Sequence, residues 1–481
     1  MFSPVLRLAV GSGLVTAGYI ALHVPLFQAL AYFQIIPVWF WYFSSNSWGG
    51  IGCLAALLAL AALLVMLSTG NHRLGHATTV AAMVVIGASL QFCFAWLEGR
   101  NLDGLRDRVI IAGHSEFVDA AVRQHDAGQV LRNYEQLAES GHLGRFSPSK
   151  PPGTLLFYMA TEAIANAISP LPATDLEERG KRLRDVITFF WPAVAALAVV
   201  PLYYLCLIWL APAGARLAAG LYLATPSFEL VTLHTDQVLF PLLFNGCLWL
   251  SSIVFARALA GRRAAEPSLA FGAAVYLAAF FQLPLILAAV PYGVTLVIFA
   301  WREWRGSIRG WWQPLVALAA APAIGALSMT ALFWGVWGYD PIQRYFAAAA
   351  YHRAWYHWAP AMRINGAIGN LLEISVWAGP ALMTLFAAAI AAAWRQVIGR
   401  SNAGAEGLIL GTALIMIWLM FLGNTIAEVA RLWIFVIPSI CLAAAWYLTS
   451  CLRQPAFSAS AAVLMTQLIC VYVIKVRMDF H

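Results

Sequence analysis

The chain has 481 residues, 62% hydrophobic and 11% charged, with a mean hydropathy of +0.75. Soluble globular domains sit near 45–50% apolar and about 25% charged, so the composition excludes a soluble enzyme and implies a polytopic membrane protein. The net charge of +7 and the pI of about 9.1 do not mark a nucleic-acid binder, because most Lys and Arg sit in short segments beside apolar runs, where they orient spans.

A helical span needs about 20 apolar residues, and the sequence offers roughly eleven to thirteen such stretches. They are read as one all-α transmembrane bundle, a single domain over residues 1–481. The amino-terminal apolar run lacks a small-residue cleavage site and is expected to stay as the first span, about Leu8 to Leu30. An aromatic interfacial stretch follows from Tyr32 to Phe43. Spans at about Ile51–Ser68 and Thr78–Leu97 are joined by Asn71-His72-Arg73 on the cytoplasmic side. The chain then emerges on the opposite face into its longest polar interval, an external loop over 99–153.

That loop carries Gly113-His114-Ser115-Glu116-Phe117-Val118-Asp119, then His125-Asp126 and Asn133-Tyr134-Glu135, and closes on Lys150-Pro151-Pro152-Gly153. An apolar helix, about Thr154–Ile168, leads to the charged linker 175–184. Counting spans forward puts this linker inside, whereas counting back from later cytoplasmic arginines puts it outside. The two agree if the helix after Lys150 dips into the membrane and returns. Further spans are expected at about Ile187–Leu210, Leu217–Phe228 and Val238–Phe255, with His234-Thr235-Asp236-Gln237 between the last two. Two short spans meet at Gln282-Leu283-Pro284, and another ends near Trp337. A second external loop, 338–370, mixes aromatics with Arg344, His352, Arg353, His357 and Arg363. A last external element holds Glu428 and Arg431 before two final spans. The twenty Trp and sixteen Tyr fit interfacial belts. The cysteines (Cys53, Cys93, Cys206, Cys247, Cys441, Cys451, Cys470) lie in or beside apolar runs without C-x-x-C spacing and read as small core residues.

Acidic groups are costly within a bilayer, so polar chemistry has few places to happen. Glu116 and Asp119 are three residues apart and share a face if helical. A carboxylate in a partly dehydrated cleft can serve as general base toward a hydroxyl. The bland reading for any one of Asp103, Asp107, Glu116, Asp119 or Asp126 is a solvated loop acid. His114 flanks the pair. The prolines of Lys-Pro-Pro-Gly fix an extended approach and Gly153 allows close contact, so Lys150 becomes a point charge suited to phosphate; otherwise it is a snorkelling interfacial lysine. Asp236, with His234 beside it, must be paired, solvated or used. Glu428 and Arg431 make either a simple i,i+3 ion pair or a held guanidinium fork for phosphate. Arg353 and its aromatic surroundings suit sugar and phosphate binding as well as an interfacial belt. Metal motifs such as H-E-x-x-H, a P-loop and a G-x-S-x-G elbow are absent from the sequence.

These residues together resemble the GT-C superfamily of integral-membrane glycosyltransferases, which take sugar from a polyprenyl-phosphate carrier; the subtype looks arabinosyl- or mannosyltransferase-like. The resemblance rests on the acid-bearing first external loop, the tract Tyr134-x-x-Leu137-x-x-x-Gly141 running into Lys150-Pro151-Pro152-Gly153, Thr235-Asp236, and Glu428-x-x-Arg431. It implies Glu116 or Asp119 as the base, Lys150 and Arg431 on the carrier phosphate, and Asp236 lining the site. It further implies a lipid, glycan or protein acceptor, inversion at the sugar, and an active site on the external or periplasmic face of a cell (inner or plasma) membrane. Membrane lipids are partners and nucleic acid is not. The phosphate leaving group can be neutralised by Arg or Lys, or by a divalent ion such as Mg or Mn. A polytopic transporter or flippase is the competing class. Its marks would be inverted repeats and ionisable residues inside spans, whereas here the ionisable residues gather toward one face.

Overall fold

Backbone polar groups in lipid must be satisfied within their own segment, so long apolar runs fold as helices. The computed structural model describes residues 3–43, 51–70, 74–97, 105–106, 109, 115–231, 236–305, 312–355, 360–399, 404–422, 425–426, 428–452 and 456–478. Among them there is no strand, only an isolated antiparallel bridge between Phe43 and Met478. Nine of the described helices are long and apolar enough to cross a membrane, and Cys53–Thr69, Ala265–Phe281 and Glu406–Phe421 are shorter apolar helices. The chain is accordingly a multi-pass membrane protein.

Enclosure orders the bundle. Ile434–Cys451 has 83% of its apolar window buried and is central, whereas Leu315–Trp337, at 17%, turns Val316, Ile324, Leu327 and Trp334 outward to lipid. The two ends of the chain meet: Pro4–Ala21 packs against Ala456–Arg477 and Pro380–Ile398, with Ser12 Oγ 3.2 Å from Thr384 Oγ1.

Two elements differ in their bounds from the expectation, and the second loop carries helices. The first span ends at Ala21, and Pro25 opens a separate short helix, Leu26–Tyr32, with His23 in the left-handed region at φ 55°; proline cannot continue the preceding helix. The second loop is largely helical, as Pro341–Trp355 and Pro360–Ala378. The charged linker is the start of helix Leu176–Ala196, whose N-cap Asp175 accepts from the Glu178 N–H at 3.2 Å.

That helix runs antiparallel to Gly153–Ile168, since Glu162 meets Arg179 and Arg182 while Phe157 stacks on Trp191 with centroids 4.9 Å apart. The apolar half of Leu176–Trp209 lies in the span, so its polar first turns stand outside, and the end of Gly153–Ile168 stands there with them. The helix after Lys150 therefore leads back along the polar first turns of the helix that follows it. Helix Ser115–Arg123 packs along both, with Asp119 3.9 Å from Arg184, and Arg106 bonds Asp185 at 2.6 Å. First loop and linker thus share one side.

Candidate functional site

The first loop is built around Tyr134. Its buried hydroxyl donates to the Lys150 carbonyl at 3.0 Å and to the Ser147 carbonyl at 3.4 Å, tying the start of helix Tyr134–Glu139 to the Lys-Pro-Pro-Gly turn. Burial pushes the phenol well above its ordinary value, so it stays a donor. Asp126 caps helix Ala127–Arg132 by accepting from the Gly128 and Gln129 N–H groups, which explains that loop acid without a catalytic role.

Two glycines are required here by geometry. Gly144 has φ 93°, and a side chain there would collide with Glu116; the neighbouring Arg145 N–H donates to the Glu116 carboxylate. A Cβ on Gly153 would come within 2.5 Å of the Phe280 carbonyl oxygen, and Thr154 Oγ1 donates to the Phe281 carbonyl at 2.9 Å. The close approach expected at Gly153 is therefore made by the end of helix Ala265–Phe281. Lys150 is extended (φ −118°, ψ 150°) and 6% exposed, with its ammonium 5.4 Å from the centroid of Phe117. It does not snorkel to water.

Helix Pro341–Trp355 clamps this loop. Arg344, 2% exposed, pairs with Glu135 at 2.9 Å, donates to the Pro148 carbonyl at 2.6 Å and stacks 5.7 Å over Tyr134. Burial raises the Glu135 carboxyl above its usual range, and Arg344 opposes that rise. One helical turn from the end, Tyr351 donates to the Arg145 carbonyl at 2.9 Å. The adjacent His352 is held below its ordinary value by burial, against the upward pull of Glu428. Glu428 in turn accepts from Arg431 at 2.6 Å. Hydrogen bonds thus join Glu116 to Arg145 and Arg145 to Tyr351, and Arg431 to Glu428 on a separate segment.

Glu373, 1% exposed, fixes the far end: its Oε1 accepts from the Ala430 N–H at 3.0 Å and from the Trp41 indole at 3.3 Å. Sequence reasoning missed Glu373, although an acid in the apolar run Leu-Leu-Glu-Ile-Ser is the signal that finds such groups. It also missed the buried Glu162–Arg179–Arg182 cluster and Glu229. The latter is fully buried, and both of its carboxylate oxygens lack a hydrogen-bond partner among the described residues.

Of the other sequence-derived candidates, Asp119 is more than half exposed, and Arg353 is exposed on helix Pro341–Trp355. Asp236 opens the short turn Asp236–Leu239. His114 and His234 lie outside the described residues. The seven cysteines are free, as their spacing implied. Among the described residues no three His, Cys, Asp or Glu side chains gather to hold a metal.

One cavity borders the clamp and another lies apart from it. An apolar groove of about 450 Å³ is bounded by helix Ala265–Phe281, by Leu283 and Ile286, and by Tyr339 with the first turns of helix Pro341–Trp355. A smaller cavity of about 350 Å³ lies around Glu162 and Arg179. Neither is lined by the acids or cations singled out from the sequence.

The all-helical fold matches the crystal structure of the Archaeoglobus fulgidus oligosaccharyltransferase complex with Zn and sulfate at a TM-score of 0.52 and 15% identity, covering 82% of this chain and 53% of that one. The apo form of that enzyme gives 0.51 and 13%, over 82% and 56%. The chain thus spans about half the length of the solved chains it matches. No protein-family model and no curated protein matches the sequence.

Proposed function

We propose that this chain is a membrane glycosyltransferase moving a sugar from a polyprenyl-phosphate carrier to a lipid, glycan or protein acceptor, with inversion, at the external face of the cell membrane. The observation that carries the reading is the helix Pro341–Trp355. Its first turns line an apolar groove, and Arg344 and Tyr351 fasten the acid-bearing loop to it. On the same helix His352 lies within electrostatic reach of Glu428. A greasy carrier and a polar head would then be served side by side, and the GT-C-like fold agrees with that use.

In the proposed reaction the acceptor hydroxyl attacks the anomeric carbon while a carboxylate takes its proton, and the bond from that carbon to the phosphate oxygen breaks. Polyprenyl phosphate leaves with the electron pair. Glu116 or Asp119 is the base. Glu116 already accepts from the Arg145 N–H, whereas Asp119 is more open, with Arg184 at 3.9 Å. Lys150 and Arg431 meet the carrier phosphate, with His114, His234, Asp236, Arg353 and Glu428 around the substrate. The phosphate is a good leaving group, so positioning and charge neutralisation are the main tasks.

The test is turnover of purified protein with a panel of polyprenyl-phosphate sugars, comparing wild type with Glu116→Gln and Asp119→Asn. Loss of a base should slow one variant by about 10²–10⁴-fold; equal turnover in both removes the assignment. A transporter is the second reading, favoured by Glu229 and Lys475, ionisable groups that are both almost fully buried. Substrate-driven counterflow in liposomes, without turnover of any donor, would establish it.

A further inference from the structure

The cavity around Glu162 stands apart from the groups assigned above. It lies between the corner after helix Ser115–Arg123, marked by Gln124 and His125, and the outer half of helix Gly153–Ile168. Glu162 is nine residues beyond Gly153, about 14 Å along the helix.

Its walls are fixed by a buried ionic cluster. Arg179, 5% exposed, gives its Nε and Nη2 to Glu162 Oε1 at 3.0 and 2.7 Å and its Nη1 to the Ala173 carbonyl at 3.3 Å. Arg182 adds a bond to the same oxygen at 3.2 Å and reaches Asn166 Oδ1 at 3.4 Å and the Ser169 carbonyl. Glu162 is itself only 9% exposed. Three guanidinium bonds converge on Oε1, and none of the described hydrogen bonds reaches Oε2.

This arrangement selects a ligand class. Three of the five Arg179 N–H donors are held by protein acceptors and a carboxylate lines the cavity, which disfavours an anion. Two guanidiniums beside that carboxylate disfavour a metal ion. What remains is an immobilised acceptor oxygen with the Asn166 amide, Gln124 and His125 around it, over an apolar wall that includes Met159 and Leu171. That set suits a neutral molecule with several hydroxyl donors and one apolar face.

We infer that this cavity is a carbohydrate-binding site that holds an outer sugar of the acceptor, Glu162 Oε2 accepting from its hydroxyls. That the sugar belongs to an acceptor rests on the transferase reading above; that the cavity binds sugar does not.

The experiment is saturation-transfer NMR on the full chain in detergent, with methyl α-D-glucopyranoside, methyl α-D-mannopyranoside and methyl α-D-galactopyranoside as probes and inorganic phosphate and choline as controls. At least one glycoside should bind. Its apparent Kd should rise more than tenfold in Glu162→Gln and in Ala163→Trp, which fills the cavity without touching the ion cluster; unchanged thermal unfolding of Ala163→Trp excludes misfolding. Binding of none of the glycosides, equal binding by Ala163→Trp, or phosphate displacing the bound glycoside overturns the proposal. Glycoside binding lost in the variants, in a protein that turns over no lipid donor, would refute the transferase reading and leave this site standing.

Discussion

Replacing Arg344 by Met should open the first loop and leave the membrane bundle intact. The side chain is 2% exposed, pairs with Glu135 at 2.9 Å and satisfies the Pro148 carbonyl at 2.6 Å. Removing one partner of a fully buried ion pair costs about 3–5 kcal/mol, and the loss here is smaller because the Glu135 side chain is 24% exposed. The orphaned Pro148 carbonyl accounts for about 1–3 kcal/mol of such a loss. Glu135 supplies the pH signature. Burial already raises its carboxyl above the usual range, and without Arg344 it rises further. A carboxyl whose folded value is raised favours folding below its ordinary value of about 4.3, and that contribution is lost as pH rises through the folded value. The Arg344→Met deficit should therefore be large at neutral pH and shrink on acidification, as Glu135 becomes neutral. The assay is the rate of limited proteolysis within 124–146 as a function of pH, with Glu135→Gln and the double variant completing a cycle. A deficit below about 1 kcal/mol at neutral pH, in the range of an exposed pair, would refute the clamp. So would a deficit that does not depend on pH.

Glu373→Ala leaves the Ala430 N–H and the Trp41 indole without their acceptor, at about 1–3 kcal/mol each. It should raise KM for a polyprenyl-phosphate donor by displacing Arg431, while Glu373→Gln, which keeps an acceptor oxygen, should stay near wild type. Gly153→Ala drives a Cβ to 2.5 Å from the Phe280 carbonyl and 2.8 Å from Phe281 Cα, both backbone; thermal unfolding should show a loss of about 1–3 kcal/mol. His352 is held below its ordinary value by burial. Its unfolded form takes up protons first, so stability falls as pH drops through about 6.5, and His352→Gln should lose less stability than wild type between pH 7 and 5.

The all-helical membrane architecture was legible because apolar length and the scarcity of charge leave helices as the main solution. Tyr134 and Lys-Pro-Pro-Gly were legible as one tract for a local reason: sixteen residues separate the hydroxyl from the carbonyl it meets. What stayed hidden was long-range pairing. Nothing in the sequence joins Arg344 to Glu135 or Glu373 to Ala430. The Glu428–Arg431 pair appears as the i,i+3 contact its spacing allows. Asp126, read from the sequence as a solvated loop acid, turns out to be a helix cap.

The central claim concerns the leaving group, and the most direct measurement is mass spectrometry of the lipid fraction after purified protein is incubated with polyprenyl-phosphate sugars and a glycan acceptor. Wild type should release polyprenyl phosphate in step with sugar gained by the acceptor, and Lys150→Met with Arg431→Met should release almost none. Donor left intact by wild type across the panel, or release that is indifferent to both substitutions, would contradict the account.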